Sequence, residues 1–283
     1  MSTPDGLPPL GEVIRASGLS AKKSLGQNFL LDFNLTRRIA RAAGPLEVAT
    51  IVEVGPGPGG LTRALLLEGA SRVVAIERDE RCLSALSDIA ALYPGQLDIV
   101  AADAREVDYA GLALHPPARI VANLPYRVAT PLLVGWLKTE PWPPWFDRLV
   151  LMFQREVADR IVAKPGGKDY GRLAVLSQWR TEPRILFKLP GAAFTPRPKV
   201  DSALVELVPR ATPEPACEVE QLEKMTAATF GQRRKMLRSS LRQLTPDSEE
   251  LLVRLGVDPK ARAEELAVAD FCRIANALKE ARR

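Results

Sequence analysis

Thr50-Ile51-Val52-Glu53-Val54-Gly55-Pro56-Gly57-Pro58-Gly59-Gly60-Leu61-Thr62-Arg63-Ala64-Leu65 is the stretch from which the fold is read. A short apolar run rich in β-branched residues breaks into glycine and proline, and helical spacing follows at once. Strand, glycine turn and helix in that order open a βαβ unit. The glycines permit a tight reversal and let the backbone approach a ligand that a Cβ would push away. Outward from this point the alternation continues. Strands are expected at 51–54, 73–76, 97–101, 119–122 and 149–153, with helices near 60–69, 79–92, 128–138 and 155–163. Such an order implies a mostly parallel sheet covered by helices on both faces. Two further β-like runs, 184–188 and 203–208, are expected to close it.

The next strand ends in Glu77, 22 residues after Gly55, where a carboxylate can accept both hydroxyls of a ribose. The third strand ends in Asp103, placed to take a hydrogen bond from an adenine amino group. A glycine turn with two such acids points to a ligand containing a nucleoside, and NAD would satisfy these features as well as any. The fourth strand ends in Asn123-Leu124-Pro125-Tyr126, for which hydride transfer has no evident use. Transfer to an aromatic amine does have one. The lone pair of an adenine amine is delocalised into the ring, and two acceptors aimed at its hydrogens favour a pyramidal nitrogen. The Asn123 side-chain oxygen and the Pro125 carbonyl are expected to be that pair, acting by positioning and by stabilising charge as it develops. Tyr126 offers a flat surface for a base drawn out of its stack.

Towards the amino terminus, Asp32 is placed to cap a helix through Ala43, and residues 1–21 read as a loosely ordered arm. Towards the carboxyl terminus, the proline-rich run 209–215 marks a domain boundary. Helical spacing without strand signal follows at 218–230, 233–243, 249–255 and 269–279. The organisation expected is therefore an arm (1–21), a catalytic α/β domain (22–209) and a small helical domain (210–283).

Of 283 residues, 46% are hydrophobic and 26% charged, as in ordinary globular proteins. No signal-peptide pattern or apolar run of membrane-spanning length is present, which implies a cytoplasmic protein without a membrane partner. Cys82, Cys217 and Cys272 lack metal or disulfide spacing, and the single histidine, His115, sits beside two prolines. No metal site is expected. The net charge is +5, and residues 221–244 alone carry six basic side chains against one acid. Within them Arg234, Arg238 and Arg242 recur at i, i+4 with Arg233 and Lys235 flanking, which reads as a phosphate-binding strip on one helix face.

Taken together, LGQNFL (25–30), EVGPGPGGLT (53–62), IERD (76–79), Asp103, NLPY (123–126), YGRLAVLSQ (170–178) and FTPRPKVDSA (194–203) resemble the ribosomal RNA adenine dimethyltransferases of the KsgA/RsmA type. GQRRKMLRSSL (231–241) is similar to that family's helical C-terminal part. The resemblance implies a Rossmann-like class I methyltransferase that uses S-adenosyl-L-methionine. It further implies N6,N6-dimethylation of two adjacent adenosines in the 3′-terminal hairpin of 16S ribosomal RNA, with the immature small ribosomal subunit as partner. A role in its biogenesis and a monomeric state follow from the same likeness. Cofactor contacts carry over onto Asn28, Leu30, Gly55, Gly57, Glu77, Asp103 and Asn123. The adenine would be held by Asn123, Leu124 and Pro125 and sandwiched between Tyr126 and Phe194. Three departures stand out: Arg127 replaces a more usual uncharged polar residue, Gly60 a frequent alanine, and the arm before Lys22 is longer than in many members.

Three rival readings share parts of this pattern. Large-subunit ribosomal RNA methyltransferases of the macrolide-resistance type carry both core motifs, but LGQNFL and YGRLAVLSQ argue against them. A non-catalytic ribosome-assembly or transcription factor on the same scaffold would not need intact Gly55, Glu77, Asp103 and NLPY. A nicotinamide dehydrogenase leaves Asn123 and Tyr126 without a role.

Overall fold

A computed structural model describes residues 3–16, 18–19 and 28–281. Lys22 to Gln27, and so the first half of LGQNFL, lie outside the described residues. The elements follow the expected alternation: α1 (Leu10–Ala16), β1 (Phe29–Leu30), α2 (Phe33–Ala42), β2 (Thr50–Val54), α3 (Gly60–Leu67), β3 (Arg72–Glu77), α4 (Glu80–Leu92), β4 (Leu97–Ala101), β5 (Ala118–Ala122) and α5 (Tyr126–Leu137). Then come β6 (Arg148–Gln154), α6 (Arg155–Ile161), α7 (Arg172–Arg180), β7 (Thr181–Leu189), β8 (Phe194–Thr195) and β9 (Ser202–Pro209). Four helices close the chain: α8 (Val219–Phe230), α9 (Leu237–Ser240), α10 (Ser248–Arg254) and α11 (Val268–Glu280).

Seven strands form one sheet in the order β4-β3-β2-β5-β6-β9-β7. Pairings from β4 through β6 are parallel, and β9 runs antiparallel to β6. The central strands β2 and β5 are buried at every position, as a sheet covered on both faces requires. Ile51, Val52, Val73, Ile120, Val121 and Val150 form its interior and exclude water from the middle of the sheet. A separate ladder pairs β1 with β8, setting Leu30 opposite Phe194.

The chain divides into two compact units, and the division differs from the sequence expectation. The first runs to Gly135 and includes Pro144–Ala158 and Arg184–Val208; the second takes Trp136–Pro143, Asp159–Pro183 and the chain from Pro209 onwards. Besides the chain from Pro209 onwards, the second unit takes in two earlier segments. One of them carries α7, a helix not anticipated from YGRLAVLSQ, in which Ala174, Val175, Leu176 and Trp179 are buried. Within the second unit Phe230 stacks on Phe271 at 5.4 Å and meets the buried Tyr170 edge-on at 6.1 Å.

Two further expectations are corrected. Residues 3–16 are not a loose arm: α1 forms there, and Asp5 is tied to Arg63 with both side chains almost wholly buried. A helix over 233–243 does not form either. Residues 231–236 are a turn, followed by the single helical turn α9 and a 3-10 turn from Leu241 to Gln243. Leu237 N–H and Arg238 N–H donate instead to the carbonyls of Ala261 and Pro259, which breaks the helical ladder. Arg234, Arg238 and Arg242 therefore share no continuous helix face.

No helix among the described residues is long and apolar enough to cross a membrane. Among them, too, no three His, Cys, Asp or Glu side chains converge as a metal site would require.

The cap of α2 is as read from sequence: Asp32 accepts from the backbone N–H of Asn34 at 2.9 Å and of Leu35 at 3.3 Å. Asp32→Ala is expected to cost about 1 kcal/mol of stability, measured by denaturant unfolding at unchanged m-value.

Candidate functional site

β5 adjoins β2 although β3 and β4 intervene in the chain, so the connections leaving the carboxyl ends of β2 and β5 diverge. A crevice opens at such a reversal. Here it is a cavity of about 450 Å³, within the usual range for small-molecule pockets. All seven expected cofactor residues, Asn28, Leu30, Gly55, Gly57, Glu77, Asp103 and Asn123, line it, and so do Leu124, Pro125 and Tyr126.

The glycine turn is held by backbone conformations that L side chains rarely adopt. Gly57 has φ near 57°, and its N–H donates to Glu77 Oε2 at 2.9 Å. Gly59 has φ near 86°, and a Cβ there would stand 2.2 Å from Ile89 Cδ1. Gly60 has another constraint: an added Cβ would stand 2.7 Å from Leu10 Cδ2. Its departure from alanine is thus matched to the docked amino-terminal segment.

Glu77 accepts a second hydrogen bond from the Asp79 N–H at 2.8 Å, so both carboxylate oxygens are oriented and each retains a lone pair for a ligand hydroxyl. Burial raises its pKa, and the Asp79 and Gly57 N–H groups oppose that rise. Asp103 is gripped differently. Arg105 reaches Oδ1 at 3.0 Å and Oδ2 at 2.6 Å, and Arg78 Nη1 reaches Oδ2 at 3.0 Å. The Arg105 guanidinium above all holds this carboxyl well below the usual range, so it is an acceptor only.

Asn123 Nδ2 donates to the Asn28 carbonyl at 3.5 Å, a long contact that leaves Oδ1 as an acceptor in the cavity wall. The Tyr126 hydroxyl lies 2.7 Å from Ser202 Oγ, which pins the half-buried ring in orientation. The Pro125 carbonyl departs from its expected role. It accepts from Val128 N–H at 3.0 Å and Ala129 N–H at 3.2 Å, closing the first turn of α5. Among the described residues no donor reaches the carbonyl of Leu124, which also lines the cavity. At the end of β5, Asn123 Oδ1 and Leu124 O are therefore the oxygens that the fold's own hydrogen bonds leave uncommitted among the described residues.

Phe194 is not brought to the cavity. Its ladder with Leu30 turns the ring into the apolar core, where it is 3% exposed. In the second unit the basic strip separates into two kinds of residue. Arg233 is structural: it pairs with Glu264 at 2.6 Å and donates to the carbonyls of Tyr170 and Lys168. Arg238 pairs with Glu249 at 3.1 Å. Arg234, Lys235 and Arg242 are exposed.

Five residues at the site escaped sequence reading: Leu10, Glu53, Arg78, Arg105 and Ser202. Glu53 alone left a signal, an acid inside an otherwise apolar strand. It lines the cavity, is 1% exposed, and accepts from the Thr62 hydroxyl at 2.6 Å. Burial, with the neighbouring Glu77 adding to it, pushes its pKa up to about 8 against the Thr62 hydrogen bond.

Comparison with known proteins adds the following. Residues 18–280 match the family described as Ribosomal RNA adenine dimethylase. A "Ribosomal RNA small subunit methyltransferase A" from Azorhizobium caulinodans is 63% identical, aligned over 100% of this chain and 97% of its own length. One of the same description from Xanthobacter autotrophicus is 62% identical over 98% of this chain and 96% of its own. Among solved structures, a dimethyladenosine transferase from Plasmodium falciparum superposes with a TM-score of 0.73 at 23% identity, covering 87% of this chain and 96% of that one. The 23S rRNA methyltransferase ErmE gives 0.65 at 28% identity, covering 89% and 100%.

The buried acid makes stability depend on pH. The unfolded chain ionises Glu53 near its ordinary value of 4.5, whereas the folded chain holds the proton to about 8. Glu53 therefore costs stability increasingly as pH rises between those values, and the penalty is absent below them. Glu53→Gln keeps an oxygen for Thr62 and removes the titration. Its Tm relative to the native chain should rise from pH 5 to pH 8 and level off above; a constant difference across that window would refute the account.

Proposed function

Because the chain belongs to the ribosomal RNA adenine dimethylase family, and so to the S-adenosylmethionine-dependent class I methyltransferases, we propose that the cavity at the β2/β5 reversal holds S-adenosyl-L-methionine and presents it to adenosines of small-subunit ribosomal RNA. The observation that carries this is the convergence, in one cavity, of the glycine turn, Glu77, Asp103 and the Asn123–Leu124 acceptors. The cavity fits such a cofactor. Gly55 and Gly57 give a wall without side chains and Glu77 offers two oriented oxygens to a ribose, while Asp103, whose oxygens already accept four hydrogen bonds from Arg78 and Arg105, would meet an adenine amino group in place of one of them.

The bound cofactor supplies a methyl group on an electrophilic sulfonium. The protein positions its acceptor. Asn123 Oδ1 and the Leu124 carbonyl take the two hydrogens of the adenine amine, leaving the nitrogen lone pair directed into the cavity. Tyr126, fixed by Ser202, supports the face of the extruded base. The attacked nitrogen becomes strongly acidic as it bonds carbon, so its proton is released without a dedicated base, and none of the buried acids is needed in that role. The second transfer meets a monomethyl amine with one hydrogen left, so one of the two acceptors holds that hydrogen and the first methyl group takes the place of the other.

The substrate reading rests on relatives of 62–63% identity described as small-subunit enzymes, against 28% for the large-subunit enzyme. Two adjacent adenosines in the 3′-terminal hairpin of 16S RNA, within an immature subunit, are the proposed target. Incubating each unmodified ribosomal RNA subunit with the protein and cofactor, then sequencing modified fragments by mass spectrometry, tests it. Dimethyladenosine at neighbouring positions of the small-subunit RNA is expected. Modification only of large-subunit RNA, or none in competent pre-subunits, would overturn it. In the same assay Asn123→Ala should slow transfer by about 10²–10³-fold.

Arg234, Lys235 and Arg242 are the proposed phosphate contacts of the second unit, with Arg233 and Arg238 assigned to holding its turn. Replacing the three by alanine should weaken RNA binding and flatten its dependence on salt, each lost contact removing about one unit from the slope of log K against log salt. An unchanged slope would remove them from the interface.

A further inference from the structure

The amino-terminal segment is bound to the α/β unit by an arrangement that the transfer chemistry does not use. Arg63, on α3, is 2% exposed. Its Nε and Nη2 form a two-pronged contact with Asp5, both at 2.6 Å, while Nη1 donates to the Pro8 carbonyl at 2.8 Å and Nη2 to Thr3 Oγ1 at 2.8 Å. A buried arginine with no negative partner is expensive, so these contacts fix where residues 3–8 must lie. From there the chain enters α1, whose first residue, Leu10, reaches the cavity wall. It sits against Gly60 at the start of α3, in space a Cβ would occupy.

We propose that residues 3–16 are a strap over the cofactor cavity, latched by Asp5 on Arg63 and seated by Leu10 on Gly60, that slows exchange of the bound nucleoside. Leu10 contributes apolar wall where the glycine turn becomes helix, and excludes water from that end of the cavity. Asp5 and Arg63 are positioning residues: they act through Leu10. The strap rests on the reading of the cavity as a cofactor site.

The geometry separates a seat from a general packing contact. Among the described residues the only close obstacle to a Cβ at position 60 is the end of the Leu10 side chain; the next residue's atom, the Leu30 carbonyl oxygen, is at 3.4 Å. Gly60→Ala therefore displaces Leu10 without requiring the backbone to move.

The test uses S-adenosylhomocysteine as probe, with Kd from calorimetry and dissociation rates from stopped flow, on the full chain. Leu10→Ala, Asp5→Asn and Gly60→Ala should each raise Kd by up to about tenfold, mostly through faster dissociation. In the Leu10→Ala background, Gly60→Ala should add nothing. Hydrogen exchange of the α1 amides should slow when the probe binds the native chain. Variants binding like the native chain, or Gly60→Ala acting equally in both backgrounds, would overturn the strap, as would unchanged α1 exchange. Failure of the native chain itself to bind would instead sink the cofactor reading. KM for the cofactor should rise while KM for RNA does not, a split that loss of folded protein would not produce.

Discussion

One hydrogen bond sets the geometry on which the site depends: the N–H of Gly57, in the turn after β2, donates to the carboxylate of Glu77 at the end of β3. It forms only if the turn takes the left-handed conformation that glycine allows, and only if β2 and β3 keep their parallel register. The acid is thereby fixed at the cavity edge with its second oxygen held by Asp79. Glycines supply the space and the carboxylate supplies the tie. Neither suffices alone.

That tie has an electrostatic consequence. Glu53 and Glu77 both line the cavity, both are buried, and burial raises the pKa of each. At neutral pH Glu53 keeps its proton, which avoids setting two buried carboxylates side by side. Glu77, supported by backbone N–H groups, is the better placed of the two to carry charge. Asp103 is the opposite case, its charge secured by Arg105 and Arg78. The cavity thus spans a neutral acid in its floor and a fully ionised one at its rim, and a ligand with hydroxyls and an amino group suits that gradient.

Much of this was legible in the sequence because it is local. Alternating apolar runs and helical spacing located every strand of the main sheet to within a few residues, and the glycine turn, Glu77, Asp103 and Asn123 followed from strand ends. What was missed is decided at a distance. YGRLAVLSQ is a helix buried in the second unit, and its apolar residues carry no period distinct enough to be read alone. The 233–243 helix fails because Leu237 and Arg238 donate to the carbonyls of Ala261 and Pro259, over twenty residues away. Phe194 reads as a stacking residue from its motif, yet a two-residue ladder with Leu30 commits it to the core. Residues 1–21 read as a loose arm from sequence, and the reason that residues 3–16 are not one, Arg63, lies far along the chain.

The Pro125 carbonyl shows how the fold chooses among atoms that sequence treats as equivalent. A helix that begins at Tyr126 needs an acceptor for its first N–H groups, and the residue just before it is the one in position. Pro125 therefore commits its carbonyl to α5, and the carbonyl of Leu124, one residue back, is the one that no donor among the described residues occupies. The same helix start fixes Tyr126, whose hydroxyl is held by Ser202 on the antiparallel strand β9. Two acceptors and one aromatic face are thus set by the end of a parallel strand, the beginning of a helix and the edge contributed by a late strand. The geometry of the tetrapeptide exists only where those three elements meet, so it belongs to this sheet order and not to the four residues by themselves.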